Sequence, residues 1–414
     1  MNRPILLTTL GSLGDLFPIL ALARALRDRG ETVRLLLLPD DARVAAEHGI
    51  DAIAFGPSSE EVTARLGMTR SEIAASVFRD PSEILRRASY PILAELTRAM
   101  LPHAEEARLV AGTALAMTGP LAAEKAGRPY VPLLLQPVMM HSALDPPRVR
   151  GLVPPMVPDP ANAFSRGWNR IWLKVVRLAM LRRHGWAQNR VRRELGLPLS
   201  GAAPLFGHAV TPPLRLGLWD PVLAPAPDDV PDLAVTGAAR LDQRGHVPPA
   251  LQRFLDDGPP PLVVSLGSVA HELGGSGFWE KAVALARGAG LRAVLLSGEV
   301  PVAEADDLCA VPYVPHAMLF PRAAAILHHG GMGTLGQALH AGRPQLILPI
   351  GADQPDNAHR AEALGIARRI DDPGRASGAL SDMLRPETAR RAGEVAARLI
   401  PDGAARAAER LAAL

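Results

Sequence analysis

The stretch HHGGMGTLGQALHAGRPQLILPIGADQPDNA, residues 328–358, decides how this chain folds and what it can hold. An apolar run, Ala323 to Leu327, ends in two histidines and a glycine-rich turn; a helix-like segment follows, then a second apolar run, then Asp-Gln-Pro-Asp-Asn. Strand, turn, helix, strand is the order of a parallel α/β sheet. Gly330, Gly331 and Gly333 leave backbone N–H groups bare where the helix starts, Thr334 adds a hydroxyl, and His329 can donate alongside them. Convergent donors at a helix N-terminus hold anions, phosphate above all. Asp353, Gln354 and Asn357 follow the next strand and so reach the same end of the sheet, where a carboxylate and amides suit a ligand rich in hydroxyls. The competing reading is a tight turn around a core histidine.

Outward from this stretch the same alternation covers the chain. ILLTT (5–9), a helix from about Phe17 to Arg29, VRLLLL (33–38) and YVPLLLQ (130–136) form one series. LVVSLGS (262–268), a helix near 277–288, RAVLLSG (292–298), LCAVPYV (308–314), AAILHH (324–329) and PQLILP (344–349) form another. Continuous rather than alternating apolar strands mean sheets covered on both faces. The segment 219–242, rich in proline and acidic residues, reads as a linker. The expected architecture is α/β, with two doubly wound, Rossmann-like domains, 1–218 and 243–395, facing a cleft. A C-terminal helical segment, 396–414, is expected to pack back on the first domain.

Composition narrows the function classes. With 414 residues the chain has room for two domains, and 48% hydrophobic against 21% charged residues is globular. A net charge of +3, with arginines dispersed rather than gathered in a block, argues against nucleic acid as partner. The single cysteine, Cys309, rules out an internal disulfide and a Cys-based zinc cluster, which fits a cytoplasmic setting. The N-terminal apolar run is too short for the core of a signal peptide, and no stretch approaches the roughly 18 apolar residues of a spanning helix. A P-loop and a G-x-S-x-G elbow are both missing from the sequence. So is any Asp-x-Asp pair that could cradle a metal-bound diphosphate, so metal is not expected and protein groups alone would neutralise the anion.

Two further loops follow strands. In TTLGSLGDLFP (8–18), Gly11 and Gly14 allow a tight turn and Asp15 stands just before the next helix. Asp15 is either that helix's cap or a group aimed at a ligand. SLGSVAHE (265–272) places Gly267 and Ser268 at the mouth of the second sheet.

On GSLGDLFPILALARALRDRG (11–30) and residues 328–358, the chain resembles the GT-B glycosyltransferases of the UDP-glycosyltransferase superfamily. Its bacterial branch, with the rhamnosyltransferase of rhamnolipid synthesis, sterol glucosyltransferases and antibiotic glycosyltransferases, is the part it looks like. The resemblance implies that His329 and the Gly330 to Thr334 turn bind the diphosphate of a nucleotide sugar, and that Asp353 and Gln354 contact sugar hydroxyls. It implies that Ser268 lies beside the phosphates, and that Tyr313, Val314, Pro315 and His316 fall where the base is held. Many members use a loop histidine as base, backed by an Asp near position 120 here; this chain has Asp15 in the loop and no Asp in LAMTGPLAAEK (115–125). That departure matches the bacterial subgroup in which the loop aspartate is itself the base.

The reaction so implied is inverting, metal-independent transfer of a sugar from a UDP- or dTDP-sugar to an acceptor hydroxyl, with no cofactor beyond the nucleotide sugar itself. A non-catalytic auxiliary protein of the same shape and a nucleotide-sugar epimerase are the alternatives. Met139, Met140 and the loop 141–160 suit either an apolar acceptor, small molecule or lipid, or ordinary packing. In SRGWNRIWLKVVRLAMLRRHGW (165–186), Trp168, Ile171, Trp172, Val175 and Ala179 recur at helical spacing, with Arg170, Lys174 and Arg177 on another face. Such a helix either makes peripheral contact with an anionic membrane or packs its Trp face on the core.

Overall fold

The computed structural model describes residues 3–69, 72–73, 76, 81–148, 156–202, 205, 207–241, 246–298, 300 and 305–414, with the backbone alone at 81 and 268–276. The chain divides into two compact units, one comprising Met1–Pro221, Pro225–Leu241 and Pro401–Leu414, the other Val222–Ala224 and Asp242–Ile400.

The first unit is built on a parallel sheet of β1 (Ile5–Thr8), β2 (Val33–Leu37), β3 (Ile53–Ala54), β4 (Leu109–Thr113), β5 (Tyr130–Leu134), β6 (Arg215–Gly217) and β7 (Leu233–Val235), in the order β3-β2-β1-β4-β5-β6-β7. The second holds β8 (Leu262–Ser265), β9 (Ala293–Leu296), β10 (Leu308–Val311), β11 (Ala325–His328), β12 (Gln345–Ile347) and β13 (Ala367–Arg369), in the order β10-β9-β8-β11-β12-β13. Counted from its own first strand, each sheet runs 3-2-1-4-5-6, the doubly wound order, which the first extends by a seventh strand. Strands β1, β4, β8 and β11 are wholly buried, as unbroken apolar runs require when helices cover both faces. In each sheet the strand order reverses between the first strand and the fourth, so that β1 lies beside β4 and β8 beside β11. Ligand loops in such sheets cluster at the carboxyl ends of these strands.

Seven helices matter below: α1 (Leu13–Asp28), α2 (Pro39–Glu47), α3 (Ala163–Glu194), α4 (Gly267–Gly288), α5 (Met332–His340), α6 (Gln354–Ala363) and α7 (Gly403–Ala412). α4 starts ten residues earlier than its apolar period indicates, so the loop after β8 is reduced to Leu266 and the left-handed Gly267, φ +75°. α7 joins the first unit, where Ala404, Ala407, Ala408 and Leu411 pack with Leu16, Ile19 and Leu20 of α1. The segment 219–242, expected as a linker, is instead built into the units. Trp219 is 1% exposed, Leu233 begins a strand paired to β6, and Leu223 packs in the second unit against Leu335 and Leu339.

In α3 the side that bears Trp168 is not the one packed on the core. Its buried side is Ser165, Asn169, Leu173, His184, Ala187 and Val191, whereas Trp168, Ile171 and Val175 are exposed. Asn169 fixes that orientation: its Nδ2 donates to the carbonyls of Ala143 and Val157, both at 2.9 Å, and its Oδ1 accepts from the Val157 N–H at 2.8 Å.

Candidate functional site

In the second unit the turn after β11 separates the two histidines by role. His328 ends the strand fully buried and accepts the Gly330 N–H on Nδ1 at 3.1 Å, so its proton sits on Nε2, 2.9 Å from Gln345 Oε1. Burial pushes its pKa down to about 4 against the opposing hydrogen bond to Gln345. The core-histidine reading therefore applies to His328.

His329 points elsewhere. A Cβ on Gly267 would lie 2.6 Å from its Cε1 and one on Gly331 would lie 2.4 Å from its Nε2, so the ring is clasped by two glycine backbones that no side chain could replace. Its Nδ1 is buried with no hydrogen-bond partner. Burial, then the nearby His328 and His316, push its pKa down to about 3, while a hydrogen bond to the Ser265 backbone works the other way. His329 is thus neutral near pH 7. His316 is held by the Ser265 hydroxyl, 3.2 Å from Nε2, and stacks on Phe320 with ring centroids 4.3 Å apart.

Gly330, expected to bind anion through its amide, is engaged at both ends: its N–H goes to His328 and its carbonyl accepts from Asn357 Nδ2 at 2.9 Å. It shapes the turn, at φ +90°, rather than donating. The donors left for an anion are at the start of α5, where the N-cap Gly331 makes no side-chain capping bond and the first-turn amides include Met332, Gly333 and Thr334. Such an uncapped terminus carries the positive end of the helix dipole.

After β12 the chain bends through Ala352, which adopts a left-handed φ of +54°, into Asp353 at the N-cap of α6. Gln354 is 3% exposed and its Oε1 accepts from the N–H groups of Ile350, at 2.7 Å, and Gly351, at 3.2 Å, so Nε2 is the end left for a ligand. Asp353 accepts from Asn357 Nδ2 at 2.7 Å. The Val314 side chain, 1% exposed, packs in the core with Leu319 and Phe320, which leaves its backbone for a base, beside the exposed Tyr313. The Ser268 side chain lies outside the described residues.

In the first unit Asp15 sits at the third position of α1 in a capping box. Ser12 N–H and Ser12 Oγ donate to its Oδ2 at 2.8 and 3.1 Å, while Gly14 N–H donates to Ser12 Oγ at 3.2 Å. Both of these bonds fall on Oδ2, and Oδ1 takes neither. A Cβ on Gly11 would lie 2.3 Å from Oδ2, so only glycine lets the carboxylate fold back on the loop. Burial raises the Asp15 pKa, partly offset by the Ser12 hydrogen bonds. Asp15 is thus both cap and a carboxylate tuned towards accepting a proton. Asp41, in the first turn of α2, is not singled out by its sequence; burial, then Asp40, then Asp15 raise its pKa to about 6. Nothing local marks it, because its closeness to Asp15 arises from β2 lying beside β1.

Comparison with known proteins gives a consistent picture. Residues 5–143 match the glycosyltransferase family 28 N-terminal domain, and residues 298–410 match the erythromycin biosynthesis protein CIII-like C-terminal domain. The chain is 34% identical to the vancomycin aglycone glucosyltransferase of Amycolatopsis orientalis, covering 98% of this chain and 96% of that protein. It is 33% identical to the O-mycaminosyltylonolide 6-deoxyallosyltransferase of Streptomyces fradiae, over 88% and 85% of the two. Among solved structures, the spinosyn rhamnosyltransferase SpnG complexed with thymidine diphosphate has the same fold, with a TM-score of 0.67 at 18% identity over 99% of this chain and 100% of that one.

Proposed function

The chain belongs to the GT-B glycosyltransferases of the antibiotic and macrolide type, and on that footing we propose that it moves a sugar from a nucleoside diphosphate donor to a hydroxyl of an apolar acceptor, with inversion at the anomeric carbon. The observation that carries this reading is the uncapped start of α5 beside the His329 ring, which sits against the Gly331 backbone. An anion there would meet the free first-turn amides.

In this reaction the acceptor oxygen attacks the anomeric carbon on the face opposite the diphosphate. The bond from that carbon to the phosphate oxygen breaks, its electron pair leaves with the nucleoside diphosphate, and the acceptor proton passes to Asp15 Oδ1. Asp15 suits this role because burial lifts its pKa from the ordinary carboxylate value and the Ser12 bonds fix its orientation. The charge growing on the leaving phosphate meets the Met332, Gly333 and Thr334 amides, the helix dipole and His329. Because His329 is neutral, it acts as a fixed hydrogen-bond donor rather than as a cation. All of these groups belong to the protein, so the reading requires no metal. Asp353 would accept from a sugar hydroxyl and Gln354 Nε2 would donate to one. Names of relatives that refer to a vancomycin aglycone and a tylonolide support a bulky natural-product acceptor.

The test is a thermal-shift series with UDP, dTDP, GDP and ADP, with and without EDTA. A ligand at 100 times its Kd stabilises the folded state by about 2.7 kcal/mol. Stabilisation by UDP or dTDP that survives EDTA is the expected result, and the thymidine diphosphate in the spinosyn enzyme makes dTDP the first to try. No shift with any of the four at millimolar concentration would overturn the donor site.

A further inference from the structure

We infer that the outward face of α3 is an attachment surface for an anionic lipid bilayer, a property separate from the transfer reaction. Phe164, Trp168, Ile171, Val175 and Leu178 follow one another in steps of four and three, which puts them in a single stripe. They are 83%, 38%, 58%, 45% and 47% exposed. The buried positions of the same segment, Ser165, Asn169 and Leu173, are displaced from Ile171 by two or six residues, which on a helix is the opposite side. The core therefore does not use Phe164, Ile171, Val175 and Leu178, and an apolar strip of such length left in water marks a contact surface.

Charge identifies the occupant. Arg170, Lys174 and Arg177 are exposed on the side between the stripe and the buried face, and residues 163–193 contain no Asp or Glu. Among the described residues Arg170, Lys174 and Arg177 take part in no ion pair. A second copy of this chain would set the same basic flank against itself. Anionic headgroups would instead neutralise it while Phe164, Trp168 and Ile171 enter the acyl boundary, the arrangement of a helix lying in the plane of a bilayer. Among the described residues no helix is long and apolar enough to cross a membrane, so the contact is lateral.

The experiment is co-sedimentation of the full chain with unilamellar vesicles of phosphatidylcholine alone or mixed with equal phosphatidylglycerol, at low and high salt. The wild type is expected to sediment with the phosphatidylglycerol vesicles, less so at high salt, and to stay in solution with phosphatidylcholine alone. Each basic side chain near an anionic surface is worth roughly five-fold in binding, so the Arg170→Glu, Lys174→Glu variant should bind at least about 25-fold more weakly. Ile171→Ser, Val175→Ser should also release the protein at unchanged melting temperature, since both side chains are exposed. The inference fails if the wild type ignores anionic vesicles, if it binds both compositions equally, or if either variant binds as the wild type does. Sedimentation of the free protein as a dimer that Ile171→Ser dissociates would assign the stripe to a second copy and overturn it too.

Discussion

Asn357 Nδ2 donates to Asp353 Oδ2 at 2.7 Å and, from the same atom, to the Gly330 carbonyl at 2.9 Å. One buried amide thus ties the turn that would hold phosphate to the carboxylate that would hold sugar, and its own Oδ1 has no partner. The loss of such a buried donor strands the buried Gly330 carbonyl, at about 1–3 kcal/mol, and removes a contact that orients Asp353. Asn357→Ala is expected to lower kcat/KM for the nucleotide sugar by roughly 10- to 100-fold. Affinity for the bare nucleoside diphosphate should fall less, because the sugar contact goes through Asp353. Equal losses in calorimetric titrations with the two ligands would show a merely structural residue.

Asp15 gives a prediction in which activity and stability part. Its ionised form is disfavoured by burial, while the capping bonds of Ser12 need only an acceptor that an amide oxygen also provides. Asp15→Asn should cut transfer by about 10²- to 10⁴-fold. Its melting temperature at pH 7.5 should equal or exceed that of the wild type. A melting temperature several degrees lower would mean that the carboxylate serves the helix alone.

Asp41 should reveal itself in the pH profile. Like charges act on each other reciprocally, so an ionised Asp41 makes ionisation of Asp15 harder. Asp41→Asn removes that charge and should lower the Asp15 pKa, which moves the acid limb of kcat/KM to lower pH. An acid limb that stays in place, or moves up, contradicts the coupling.

His141, His208, His316, His328 and His329 all have pKa values pushed down to about 3 or 4, with burial the leading cause in each. Their folded values lie below the ordinary value of 6.5, so the unfolded chain takes up protons first as pH falls. Stability is therefore full above pH 6.5 and declines from there towards pH 4, with a limiting slope of roughly 1.4 kcal/mol per pH unit for each group that stays neutral. Thermal melts between pH 8 and 5 should show this decline, and His328→Gln should flatten it. A melting temperature level over that range would refute the assignment.

Gly331→Ala tests the clasp around His329. The added carbon must displace the imidazole, and loss of one donor from an anion site costs about 10²- to 10³-fold in turnover. Ala at Gly277, where the added carbon meets open space, is the control that should retain activity. Retained activity at Gly331→Ala would remove His329 from the site.

Legibility in the sequence follows the kind of force involved. Apolar runs such as Ile5–Thr8 and Ala325–His328 announce themselves because each buries a whole strand, and residues 328–358 show turn, helix start and polar pair in consecutive order. β4 and β7 are not legible in this way: LVAGT carries a mid-strand glycine and LAV is three residues in a proline-rich segment, so their pairing comes from neighbours far along the chain. The period of α3 reveals the helix but leaves its inward face open, because hydrogen bonds of Asn169, not apolarity, turn it. The Gly330 amide looks free for a ligand because its partner, His328 Nδ1, is a neighbour whose rotamer no sequence records. Asp41 comes to light only through strand order.

The return of α7 to α1 has a consequence for how such enzymes can be recombined. Because Ala404, Ala407, Ala408 and Leu411 complete the core around Leu16 and Leu20, the first unit is assembled from segments on both sides of the second in the sequence. A chimera joined at one crossover near residue 241 would press a foreign last helix against the native first one. Exchange of acceptor halves between relatives calls for two crossovers, the second near residue 400, so that the first unit's closing helix travels with it.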